Sequence, residues 1–271
     1  MTDLLAGLPE ITLTPDGKRY VSEGKEYRRV TDIVSKVLPP YLTPWAEKVG
    51  QQAALHIYQH TGQLPETQSE LMQEARNLGI TCEDEKNKGA DRGSALHLAI
   101  ESLVLTGNAA LALEDFDNPD HMKYAQSFSD FQLDYAPDFE AAEVRIAHPE
   151  LDYAGTFDAI AICRKRPKGA RGPDMTGKRI ILDWKTNSEG HSYPQHLWQL
   201  AAYQLACEHW GIPVEGSAVV ALGPKGMMKR KTPYSFKPSY IEPSAFAGVV
   251  DFFNLAERQM GRNPLGRKKQ S

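Results

Sequence analysis

Two aspartates stand where strand-like runs are otherwise apolar: Asp158 in GTFDAIA and Asp183 in ILDWKT. An isolated buried carboxylate costs several kcal/mol unless a cation or hydrogen-bond donors compensate it, so two of them in successive strands call for a shared reason. A divalent cation supplies one. Oxygen ligands of this kind suit Mg²⁺ or Mn²⁺, which keep several waters and take one or two protein carboxylates together with substrate phosphate. Lys185 follows Asp183 by two residues, and strand alternation puts both side chains on one side of the sheet. A water held there would be made more acidic by the cation and oriented toward a phosphorus atom, which is the arrangement of a hydrolase.

Two helical stretches offer further groups. In Gln199-Leu-Ala-Ala-Tyr203 the four-residue spacing places an amide and a phenol on one helical face. In RGSALHLAIE the same spacing relates His97 and Glu101, and His97 is a candidate metal ligand. Asp-x-Lys alone is frequent by chance. Its force comes from the Gly-x-x-Asp upstream and the polar helix downstream.

The ordered set Gly93-x-x-x-His97, Gly155-x-x-Asp158, Asp183-x-Lys185 and Gln199-x-x-x-Tyr203 resembles the RecB-type branch of the PD-(D/E)XK nuclease superfamily over about residues 89–222. The resemblance implies an α/β core in the order helix, three strands, helix, strand, with a mixed central sheet flanked by helices. It also implies that His97, Asp158, Asp183 and the main-chain carbonyl of Trp184 ligate the metal, that Lys185 assists the attacking water, and that Gln199 and Tyr203 lie near the active site and the DNA. Glu143, in Glu-Val-Arg-Ile-Ala-His, matches an acid that borders the site in mitochondrial relatives. Many RecB-type proteins add four cysteines around an iron–sulfur cluster. Here there are three cysteines, far apart and without C-x-x-C, so no iron–sulfur cluster is expected. No G-x-x-x-x-G-K-[ST] occurs, and any unwinding motor would be a separate replication or recombination protein.

The elements that must hold these residues can be read from the pattern. Short alternating runs with Asp-Gly and Glu-Gly turns fill residues 1–40, helices are expected over 45–60, 68–79, 83–106 and 119–135, and at Phe139 the period falls to two. Three strands follow, then a helix over 194–210, the strand SAVVAL, and a closing helix from Pro243 to about Met260. The expected division is an N-terminal extension over 1–88, the nuclease core over 89–262 and a basic tail over 263–271.

Charge separates the two ends of the chain. Residues 1–160 carry 13 basic against 27 acidic side chains, and residues 161–271 carry 18 against 8, so a polyanion would meet the C-terminal half. The run Lys229-Arg230-Lys231 and the loop over 164–179 fit phosphate contacts that hold DNA without reading its sequence. With 41% hydrophobic residues a substantial core is available, yet no stretch approaches a membrane span and the start MTDLLAGLPE lacks a signal-peptide layout, so a cytoplasmic setting is expected. The expected activity is a Mg/Mn-dependent DNA exonuclease of phage or bacterial type, acting on free ends or single strands in replication, recombination or repair. The alternatives are a nuclease-fold module that binds nucleic acid with little catalysis, and a structure-specific endonuclease.

Overall fold

A computed structural model describes residues 4–38, 43–106, 118–187, 192–224 and 232–261. The chain divides into two compact units: Pro40–Leu96, and a larger one made of Met1–Pro39 with His97–Ser271.

The smaller unit contains α2 (Thr43–Thr61), α3 (Gln68–Asn77) and the first part of α4 (Cys82–Thr106). Thr67 opens α3 with a capping box: its side chain accepts from the Glu70 amide, and the Glu70 carboxylate accepts from the Thr67 amide. A small core of Ala53, Ile57 and Ala75, flanked by Leu71 and Ile80, holds the pair together.

The larger unit is a mixed sheet flanked by helices, as expected in outline. Its strands are β1 (Thr12–Leu13), β2 (Tyr20–Ser22), β3 (Lys25–Arg29), β4 (Pro137–His148), β5 (Tyr153–Cys163), β6 (Arg179–Thr186), β7 (Ser217–Leu222) and β8 (Tyr234–Pro238). They lie in the order β1-β2-β3-β5-β6-β7-β8, with β4 also on β5. The expected helices at 119–135, 194–210 and the C-terminal end appear as α5 (Pro119–Tyr135), α6 (Pro194–His209) and α7 (Ala245–Gly261). Asn118 caps α5 by accepting from the Asp120 amide, and Pro119 sits in its first turn, where a missing N–H costs nothing.

β6 and β7 run parallel from Ile181↔Ser217 to Thr186↔Leu222, a pairing that requires a crossover, and α6 provides it. Small residues Ala201, Ala202 and Ala206 let α6 approach the sheet, where Leu197 and Leu200 join Ile160, Ile181 and Val219 in the main core. α5 supplies aromatic packing instead. Phe128 and Phe131 stand edge-on to Trp184 with ring centroids 5.1 and 5.8 Å away.

Three features depart from the sequence expectation. Residues 30–37, expected to continue the strand-like run, form α1 (Val30–Val37), which buries Val30, Ile33 and Val34 along one stripe. Tyr234–Pro238 is an additional strand, antiparallel to β7. The expected extension over 1–88 is not one piece: β3 pairs in parallel with β5 through Arg28↔Tyr153 and Arg29↔Ala154, so residues 1–39 belong to the unit that holds the sheet. The physical reason is the small core that Ile11, Tyr20 and Tyr27 make with Ala147 and Ala154, which a free hairpin would leave in water.

Candidate active site

A fork in the sheet builds the site. β4 follows β5 along one whole edge, from Tyr153 to Cys163, so β3 and β6 must share the other. β3 occupies Tyr153 and Ala154, and β6 joins only at Ala159↔Leu182. The next rung would set Asp158 against Asp183. There the strands part, and the Trp184 amide donates not to a backbone carbonyl but to Asp158 Oδ2 at 2.5 Å. A buried N–H must find an acceptor, and this one holds a carboxylate in place.

On the other edge, Glu143 falls between the rungs Ala142↔Ala159 and Val144↔Phe157, and so faces Asp158. Its φ of 47° lies in the left-handed region, rare for a residue with a side chain and costing on the order of 1–3 kcal/mol. That conformation brings the carboxylate to His97. His97 Nδ1, from α4, lies 3.4 Å from Glu143 Oε1 and 3.2 Å from Asp158 Oδ1. Two residues further along β6, Lys185 Nζ lies 2.7 Å from Asp183 Oδ2. The side chains of Asp158 and Asp183 are 7% and 3% exposed, whereas those of His97, Glu143 and Lys185 are 29%, 31% and 26% exposed, so a ligand would enter past the latter three and meet the two aspartates at the floor.

Charge partners split the two aspartates. Burial pushes Asp158 up, but His97, Lys185 and the Trp184 amide outweigh it and leave the carboxyl below its ordinary value. Burial carries Asp183 up to about 6 against the pull of Lys185, with Asp158 adding to the rise. His97 would be lowered by burial, yet its contacts with Asp158 and Glu143 raise it to about 10. Lys185 likewise loses to burial but gains more from Asp183, Asp158 and Glu143, which hold it above the usual lysine value. The ammonium is therefore retained as a donor. Two carboxyls driven apart in this way suit different tasks within one site.

The donor set fits a hard divalent cation. Ligand atoms of His97, Glu143 and Asp158 lie within 4.8 Å of one another. Asp183 adds a second, more deeply buried carboxylate, whose Oδ2 is paired with Lys185 Nζ at 2.7 Å. Two carboxylates buried this close together are stabilised by a shared cation.

The fork gathers His97, Asp158, Asp183 and Lys185, together with the Trp184 backbone, from the residues expected in sequence. Glu143, expected at the border, lies inside the ligand group, and Glu101 is not part of it. Tyr203 reaches the fork from α6: it is buried, its ring centroid is 5.8 Å from that of Phe157, and burial followed by Asp183 keeps its phenol neutral far into the alkaline range. Gln199 is half-buried one turn earlier and is not among the groups that define this geometry. Lys229, Arg230 and Lys231 lie outside the described residues. In the basic loop, Arg164 donates to Asp138 at 2.6 Å, Arg166 to the carbonyls of Ala170 and Gly172 at 3.0 and 2.8 Å, and Arg179 to Glu140 through two bonds of 2.5 and 2.9 Å. These three arginines brace the loop.

Sequence reasoning passes over His196, in the first turn of α6. Its Nδ1 accepts from the Tyr193 amide at 3.2 Å, and burial, then Lys185 and Lys237, push it down to about 3. No spacing in the sequence relates it to Lys185.

Gly155 makes the approach of Tyr203 possible. A Cβ at Gly155 would stand 2.6 Å from Tyr203 Cε1, so Gly155→Ala must displace the ring. The expected loss is about 1–3 kcal/mol in urea unfolding, the scale of an overpacked core. Tyr203→Leu in the same chain should recover part of it; full stability of Gly155→Ala alone would contradict this packing.

No family model and no curated protein matches the chain. Among solved structures it is similar to the crystal structure of SSO0001, at 16% identity and a TM-score of 0.33, over 80% of this chain and 88% of that one.

Proposed function

We propose that the chain is a divalent-metal-dependent deoxyribonuclease with a PD-(D/E)XK core, as the resemblance of its ordered motifs implies. One observation carries the reading: His97, Glu143, Asp158, Asp183 and Lys185, drawn from α4 and three strands, meet in a single fork with two nearly inaccessible carboxylates at its floor. A module that only binds nucleic acid has no use for buried acids facing a polyanion, since they would repel it.

His97, Glu143, Asp158 and Asp183 would hold Mg²⁺ or Mn²⁺, with the Trp184 carbonyl as a further ligand implied by the resemblance. Such a cation, when bound, polarises phosphate and lowers the pKa of water. The chain's own residues do the rest. The Trp184 amide fixes the Asp158 carboxylate, so its orientation needs no reorganisation on binding. Lys185, kept protonated by three acids, donates to an oxygen of the phosphate or of the incoming water and offsets charge gathering at phosphorus. Water adds to phosphorus as the bond to the 3′ oxygen breaks, giving a 5′-phosphate and a 3′-hydroxyl by analogy with the family. A role in DNA replication, recombination or repair, beside a separate motor protein and in a cytoplasmic setting, belongs to the same proposal. No helix among the described residues is long and apolar enough to cross a membrane.

The test is digestion of linear and circular, single- and double-stranded DNA by purified protein in Mg²⁺ or Mn²⁺. Metal-dependent loss of linear forms alone is expected of an exonuclease. Cutting of circles would make it an endonuclease, and intact substrates throughout would overturn the nuclease reading.

A further inference from the structure

The acidic fork has a polar neighbour that the proposed chemistry does not use. Two rungs along from Glu143 and Asp158, Arg145 pairs with Thr156. Two residues of a strand advance by about 7 Å, close to the step between successive phosphates on an extended nucleic-acid strand. At this rung Tyr20, from β2, brings its hydroxyl to 2.9 Å from Thr156 Oγ1. Two hydroxyls sharing one hydrogen bond use one hydrogen between them, and the accepting hydroxyl keeps its own for another acceptor. Arg145 is exposed, and its Nη1 donates to the Ile11 carbonyl at 3.2 Å, which steadies the guanidinium beside the hydroxyl pair.

Charge explains why such a group belongs here. Glu143, Asp158 and Asp183 repel a polyanion, and Lys185 is already engaged by Asp183. A strand entering the fork needs a cation just outside the acids to hold its next phosphate. Resting on the nuclease reading, we propose that Arg145, with the hydroxyls of Tyr20 and Thr156, forms a phosphate-binding subsite one nucleotide from the acidic cluster. It positions the strand and takes no part in bond breaking.

The experiment measures binding of a fluorescent single-stranded oligonucleotide to the full chain in EDTA across a salt series. Arg145→Gln should weaken binding about tenfold at low salt, the worth of one charge-assisted contact, and reduce the salt slope by about 0.7. A second set of oligonucleotides carries one neutral methylphosphonate at each position in turn. Wild-type protein should lose affinity most at one position, and Arg145→Gln should be indifferent there while responding normally elsewhere. If Arg145 only braces Ile11, the variant will melt lower with slope and methylphosphonate profile unchanged, and the subsite is overturned. Absence of oligonucleotide binding by wild-type protein, or binding that Arg145→Gln leaves intact, overturns the subsite, whereas the nuclease reading falls only if the digestion assay in Mg²⁺ or Mn²⁺ leaves every substrate intact.

Discussion

Asp183→Asn is expected to reduce DNA hydrolysis by roughly 10³-fold or more while making the metal-free protein more stable at neutral pH. The activity loss follows from removing one of the two carboxylates at the floor of the fork, and with it an anionic oxygen that would hold the cation. The stability gain follows from the direction of its titration. In the folded chain the Asp183 carboxyl is raised from 3.8 to about 6, so the folded state binds its proton more tightly than the unfolded state does. Its contribution is therefore fully present below about pH 4 and is lost as pH rises through about 6. Asparagine resembles the protonated form, so wild type and variant should unfold alike at low pH and separate progressively to neutrality. The separation should be on the order of 1–3 kcal/mol, less than the full shift implies because Lys185 loses its partner as well. Urea unfolding in EDTA between pH 4 and 8, beside a nuclease assay, checks both halves. Unimpaired digestion, after contaminating nuclease is excluded, would remove Asp183 from the site; a variant less stable at pH 8 than wild type would mean that its anion is held favourably without metal.

How much of this site is legible in the amino-acid sequence depends on the kind of signal each residue leaves. Asp158 and Asp183 are legible because a carboxylate in an apolar strand violates burial energetics, and Lys185 because period two ties it to Asp183. His97 emerges only through the order of motifs, since a histidine on a helix carries little information by itself. Glu143 is legible as a nearby acid, but its place opposite Asp158 depends on a register shift between Phe139 and Ala141 and on a positive φ, neither of which the one-letter pattern carries. The miss at α1 has a different cause. Val30, Ile33, Val34 and Val37 have helical spacing, yet β-branched residues and a preceding strand-like run favour extension; packing against α6 and α7 decides the matter. β8 is five residues long, with Tyr234 and Pro238 buried at its ends and three half-buried residues between, so no period of two stands out. Pairing of β3 with β5, which creates one arm of the fork, is a contact across more than 120 positions, and no local rule reaches that far.

Replacing Lys185 should separate chemistry from metal capture. Lys185→Met keeps much of the buried stem and removes the charge, and the rate of the chemical step at saturating metal should fall about 10²–10³-fold, as for loss of one preorganised donor. Metal affinity should not fall with it, because the ammonium 2.7 Å from Asp183 opposes a cation bound there; calorimetry should return an affinity equal or higher. The pH profile distinguishes the two tasks open to a lysine. Held above its ordinary value by Asp183, Asp158 and Glu143, Lys185 stays charged across the accessible range, so wild type and variant should trace parallel pH–rate curves below about pH 9. A general base would instead give wild type an ascending limb that Lys185→Met lacks. Preserved rate at saturating metal with lost affinity would make Lys185 a structural counter-ion to Asp183, and the donor that stabilises charge at phosphorus would then have to be sought among the other groups at the mouth of the fork.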